Sequence, residues 1–280
     1  MLRVSSAMIA ATLLGAAASW AQNGEPFPGQ SSPGLTAELF LPGIVSGPAQ
    51  EYGLAVTRDW SDIYFTRLEG ESSSIMRTRR TDRGWSTPSP TTFSDSDNDS
   101  HPWLSPDGSR IFFVSRRPCP GANQAMNLWV AERTDDGWGA AYSPGPPVTD
   151  QTMHAPSVAA SGTVYATGII RLRPVANGYG TAERLSPDIR GGHPAVAPDE
   201  SFLVFSARRA GGLGGADIYV TFARPDGTWS APVNLGPGVN TESVESSPTL
   251  STDGRFLFFS RHDDIWWVDS SIIEALRHEP

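Results

Sequence analysis

The sequence predicts an all-β chain built as a propeller of five four-stranded blades, and three observations predict it. A turn tetrapeptide running into alternating apolar residues recurs five times: "TRDWSDIYF" from Thr57, "SPDGSRIFF" from Ser105, "AASGTVYAT" from Ala159, "APDESFLVF" from Ala197 and "STDGRFLFF" from Ser251. The repeat comes round every 40 to 55 residues or so, which is the length of one blade of four strands. The composition of the 280 residues, with 28 Gly, 24 Pro and 9 Trp, provides for many tight turns and few long helices.

Each blade can be read strand by strand. The inner strands precede the turns as "EYGLAVT", "SHPWLS", "HAPSVAA", "GHPAVAP" and "ESSPTLS", and the second strands follow as "DIYFTR", "RIFFVSR", "TVYATG", "FLVFSAR" and "FLFFSR". These are rich in the β-branched and aromatic residues that fit a pleated, half-buried surface. The third strands are "SSIMRTR", "MNLWVAER", "GIIRLRP", "ADIYVTFA" and "DDIWWVDS". Four of them run into a turn and an aromatic, "TDRGW", "TDDGW", "ANGYG" and "PDGTW", where Asp or Asn with Gly supplies the positive φ of a hairpin. The outer strand begins at that aromatic. The last unit lacks one, and "TAELFLPGIV" near the N-terminus is available to complete it, closing the ring and removing exposed sheet edges.

The first 22 residues place Arg3 before an apolar run and end in small residues around Ala21, the pattern of an export signal. The expected division is a signal over 1–21, a linker over 22–35, the propeller over 36–272 and a tail over 273–280. No later segment approaches the roughly 20 apolar residues of a membrane span. One cysteine, Cys119, leaves no internal disulfide, so stability must come from packing. A net charge of −9 argues against nucleic-acid or anionic-membrane partners. These features predict an exported monomer, periplasmic or secreted.

The units resemble the WD40-like repeats of TolB-type β-propellers, most closely over Ser206 to Gly254. That stretch carries a serine and arginine ending the second strand, a glycine-rich loop, "DIY", "GTW" and "NLG". The third unit departs from the pattern. The resemblance implies the fold and leaves the function open, because such propellers serve as docking modules, as sugar or peptide binders and as enzymes. It also implies that arginines closing the second strand pair with an aspartate of their own or the next blade.

In a propeller the inner strands line a central channel, so site residues belong at their entries and at the ends of the second strands. At the entries stand Glu51, His101, His154, His193 and Glu245, one per blade. Three of the five histidines at one structural position could hold a divalent transition metal. Counted back from the shared proline, however, His101 and His193 stand one residue before it and His154 two before Pro156, a slip that turns a side chain to the other face. Arg67, Arg116, Arg117, Arg208, Arg209 and Arg261 end the second strands, where guanidiniums suit an anionic ligand. Trp60 and Trp103 could line a pocket or be buried between blades. "SDSDNDSH", with Asp95, Asp97 and Asp99, reads as a solvated turn rather than a calcium loop, and "GGLGGAD" as a flexible hairpin.

Two functions follow. The first is a binding module presenting the channel mouth to a protein, peptide or saccharide, with Glu51, Arg67, Trp103, Arg117, Arg208, Glu245 and Arg261 as ligand contacts. The second is a metal-dependent enzyme holding the ion on His101, His154 and His193 and acting on an anionic small substrate. A weaker third makes Glu51 and Glu245 the paired carboxylates of a glycosidase, which requires them roughly 5 to 9.5 Å apart.

Overall fold

The computed structural model describes residues 30–94, 98–119, 121–122 and 125–277; the expected signal, most of the linker, Asp95 and Asp97 lie outside them. Five antiparallel sheets follow one another along the chain. Blade 1 is Gln50–Val56, Asp62–Glu69, Ser72–Thr81 and Gly84–Trp85, with Ser89–Pro90 also pairing the third strand. Blade 2 is Ser100–Leu104, Arg110–Ser115, Asn127–Thr134 and Gly137–Trp138. Blade 4 is Gly192–Val196, Phe202–Ala207, Asp217–Phe222 and Val233–Asn234.

Blade 5 consists of Ser246–Leu250, Phe256–Arg261 and Asp264–Asp269, completed by Glu38–Leu39 from the N-terminal segment. Glu38 pairs with Trp267 and Leu39 with Trp266, so the expected closure is the one observed. Phe40 secures it. Fully buried, its ring lies 4.9 Å from Phe258 and 5.0 Å from Trp267, and its amide donates to Ile265 O at 2.8 Å.

Blade 3 is reduced to Ser157–Val158, Val164–Ala166, Ile170–Leu172 and Glu183–Arg184. A separate hairpin, Pro174–Val175 with Gly178–Tyr179, takes the place of a longer third strand, its turn made by Ala176 and Asn177. Trp103, expected as a ligand contact, packs into this thin blade as part of the core, its indole N–H donating to Val158 O at 3.2 Å.

Aromatic side chains lock blade to blade. The Trp138 indole of blade 2 donates to the Tyr64 hydroxyl of blade 1 at 3.0 Å, and Trp60 lies against Phe256 and Phe258 of blade 5. A single helical turn, Ser271–Ala275, crosses the expected boundary between propeller and tail, and its Ile273 is buried in the core. "GGLGGAD" is a stitched loop and not a flexible hairpin. The Asp217 carboxylate accepts from the amides of Leu213 and Gly214, at 2.7 and 3.0 Å, and Gly215 N donates to Ser243 O at 2.7 Å.

Candidate functional site

At the axis the same local event occurs in four blades. The inner strand bulges between Tyr52 and Leu54, Ser100 and Trp103, Gly192 and Ala195, and Ser246 and Thr249. One residue of each bulge has left-handed backbone: Gly53 (φ 54°), His101 (51°), His193 (50°) and Ser247 (50°). Such φ values are uncommon for residues other than glycine, and a bulge re-aims the side chain it carries. Blade 3 has Ala155 at the matching place, and His154 beside it is exposed, its amide donating to the Thr167 hydroxyl at 3.1 Å.

Two histidines therefore reach the axis. Their rings stack, 5.6 Å between centroids and 15° between planes. His101 Nε2 lies 3.3 Å from the Ser247 hydroxyl and Nδ1 3.2 Å from that of Ser100, while His193 Nδ1 lies 3.1 Å from the Ser206 hydroxyl. Gly53 makes the room: a Cβ there would sit 3.0 Å from His101 Cα. Burial first, then the neighbouring His193 and His154, hold His101 well below the ordinary imidazole range; burial and His154 bring His193 down to about 4. At neutral pH both are uncharged rings. Stacking sets the two planes parallel instead of converging their nitrogens, and among the described residues no group of three or more His, Cys, Asp or Glu is placed to hold a metal ion.

Two residues outward from the bulge in blades 1, 2 and 5 sits an acid, Glu51, Asp99 and Glu245, each fully buried. Each is bound by an arginine of its own blade: Arg67 to Glu51 at 2.8 Å, Arg117 to Asp99 at 2.7 Å and Arg261 to Glu245 at 2.8 Å. Both Glu245 oxygens are further engaged by Thr241, and Glu51 also accepts from Gly47 N. Burial raises the Glu51 carboxyl despite its arginine partner. These residues tie strands together and cancel one another's charge. Asp99, grouped in sequence with the solvated turn, belongs to this set. Arg208 is exposed and has no such partner among the described residues.

The mouth is a cup of about 750 Å³, lined by the two histidines, Tyr52, Ser243, Ser246, Ser247 and Ser260 among others. Val244, half-exposed at 53 %, and His262 stand at its lip. At the other end of the axis residues of all five blades, among them Leu54, Trp103, Val158, Val196 and Leu250, leave a void of about 20 Å³. The axis is thus a cup with an apolar plug. The sequence reading does not single out Tyr52 and Ser247 and places Asp99 in a solvated turn, although counting one and three residues back from the shared proline finds Ser247 and Asp99.

No family model matches the sequence, and a comparison with curated proteins finds no match. Solved structures do match. TolB from Acinetobacter baumannii superposes with a TM-score of 0.52 at 16 % identity, over 80 % of this chain and 55 % of that one. The chain folds as a TolB-like β-propeller. It spans about half the length of that TolB. An α-L-arabinofuranosidase from Podospora anserina, solved in complex with cellotriose, superposes with a TM-score of 0.53 at 10 % identity, over 84 % of this chain and 94 % of that one. At these identities the likeness is one of fold. No helix among the described residues is long and apolar enough to cross a membrane.

Proposed function

We propose that this TolB-like propeller is an exported binding module whose cup receives a segment of a protein, peptide or saccharide. The observation that carries this reading is the cup itself. About 750 Å³ of open space stands over neutral imidazoles and serine hydroxyls, beneath an exposed valine. Concave sites with a few convergent polar groups and apolar surface are the usual shape of ligand pockets. The buried acids Glu51 and Glu245 already satisfy their arginines, so what the cup offers a ligand is hydrogen bonding and apolar contact on its floor and the exposed carboxylates of Glu242 and Asp263 on its wall. The export pattern of the first 22 residues fits a ligand met outside the cytoplasm.

The test is binding of the purified protein to peptide and glycan arrays, compared with Ser243→Trp, which fills the cup, and Tyr142→Ser, an exposed site away from it. The expected result is a hit retained by Tyr142→Ser and lost in Ser243→Trp. Hits that survive the filled cup would sink the reading.

A further inference from the structure

Blades 1, 2 and 5 share a device that blade 4 lacks. In blade 2, Arg117 lies over Trp129 (5.0 Å), the residue paired with Phe113, and donates to Asp99, three residues before Pro102. In blade 4, Arg209 lies over Tyr219 (5.5 Å), the residue paired with Phe205, in the same setting. The place of the acid, three residues before Pro194, is occupied by Gly191. The chain there runs so close to the second strand that a Cβ on Gly191 would lie 2.4 Å from Ser206 O and 2.6 Å from Phe205 Cδ2. No acidic side chain fits. Arg209 donates to backbone carbonyls instead, Asp188 O at 3.0 Å and Arg190 O at 3.5 Å.

Two further arginines gather beside it. Arg184 and Arg190 line a depression of about 520 Å³ whose other walls are Gly168, Pro187 and Gly191. Arg184 Nη1 donates to Gly168 O at 3.1 Å and Arg190 Nε to Pro187 O at 2.8 Å. Each guanidinium is oriented by one neutral carbonyl, leaving most of its five donors free. Among the described residues none of Arg184, Arg190, Arg208 and Arg209 has a carboxylate within 4.0 Å. The adjacent Glu183 is taken by Arg171 at 3.1 Å and approached by Arg173 at 3.7 Å, and Asp188, exposed between the arginines, presents its backbone oxygen to Arg209.

An acidic chain with a net charge of −9 thus holds uncompensated guanidiniums together where the outer strand of blade 3, the connection into blade 4 and the end of blade 4's second strand meet. We infer that the depression lined by Arg184 and Arg190, with Arg209 behind it, is a binding site for a single oxyanion, the phosphate or carboxylate group of a ligand. Guanidinium forks match the two-oxygen edge of either group. The site goes beyond the cup reading, because it takes an oxyanion whether or not a larger ligand fills the cup.

Because the sequence contains no lysine, side-chain cation signals come from arginine alone apart from the histidines. The experiment follows arginine Nε–Hε resonances of the ¹⁵N-labelled protein while inorganic phosphate, or separately an acetylated and amidated triglutamate peptide, is added. Saturable shifts confined to Arg184, Arg190 and Arg209 are expected, weakened roughly tenfold or more by Arg184→Gln or Arg190→Gln and partly restored by Arg190→Lys. Both substituted side chains are exposed, so the fold survives the change. The tighter of the two probes identifies the oxyanion as phosphate or carboxylate. Arg224→Gln removes the same charge on the opposite face and should leave binding within about twofold. Equal weakening by Arg224→Gln, or shifts spread over all exposed arginines without saturation, would overturn the site. A Ser243→Trp protein that loses array binding but keeps the phosphate response shows that the two sites stand or fall separately.

Discussion

Acidification should loosen the propeller at its axis, and the size of the effect follows from the stacked histidines. His193 is held to about 4 by burial and by His154, against an ordinary value near 6.5. Its folded-state value is depressed, so its contribution to stability is fully present above the unfolded value and is lost as pH falls from about 6.5 toward about 4. Between pH 7 and pH 5 the unfolded imidazole takes up its proton while the folded one does not. Linkage at 1.36 kcal/mol per unit then gives a loss of about 2 kcal/mol from this ring, and His101 acts in the same direction. For a domain of this size that is a fall in Tm of roughly 4–8 °C. The raised Glu51 and Asp264 carboxyls have the opposite sign and remain in both proteins compared. Denaturant unfolding of the unsubstituted chain and of His193→Asn, each at pH 7 and pH 5, isolates the ring. The unsubstituted chain should lose about 2 kcal/mol more than the variant over that interval. Equal losses would refute the claim that the ring is buried uncharged.

Phe40→Ala, which hollows out the closing contact with Phe258 and Trp267, should cost about 3–5 kcal/mol in denaturant unfolding. Glu245→Gln leaves Arg261 buried without its counter-charge and should cost about 3–5 kcal/mol, whereas Glu183→Gln, which breaks an exposed pair, should change stability by less than about 1 kcal/mol. Gly53→Ala combines a φ of 54° with a Cβ 3.0 Å from His101 Cα, and should cost about 1–3 kcal/mol. It should also shift the His101 ring resonances, whereas Gly227→Ala in an open turn should not.

Reading the sequence recovered the blades because their signals are local. A Pro-Asp-Gly turn and an alternating strand are properties of nine adjacent residues, and the aromatic of the Gly-Trp turn marks the outer strand in blades 1 and 2. The closing strand was legible for another reason: the fifth unit was one strand short. The floor of the cup was not, because a bulge shifts the register by one residue without leaving a mark in composition. His101 and His193 carry the bulge and reach the axis, while His154, one residue out of phase in a blade with a two-residue inner strand, faces solvent. Glu51 and Glu245 looked like ligand contacts because they stand at strand entries, but their burial and arginine partners depend on strand pairing across the blade. Gly191 carries no chemistry of its own, so the arginines it releases could be recognised only by comparing blades in space.

The pairing of Glu38 with Trp267 also constrains the order of events when the chain is made. A polypeptide delivered N-terminus first presents Leu39 and Phe40 long before Trp266 and Trp267 exist to receive them. Until the last blade arrives, the leading strand has no partner and the ring stays open between blades 1 and 5. Loop-closure entropy rises only slowly with the number of residues spanned, so joining ends this far apart adds little cost beyond that of a shorter closure. Waiting is the larger exposure, because an unpaired strand and the open flank of blade 1 are surfaces on which a second chain can add. The clasp therefore acts as a completeness check: only a chain synthesised through residue 269 can hide its own first strand.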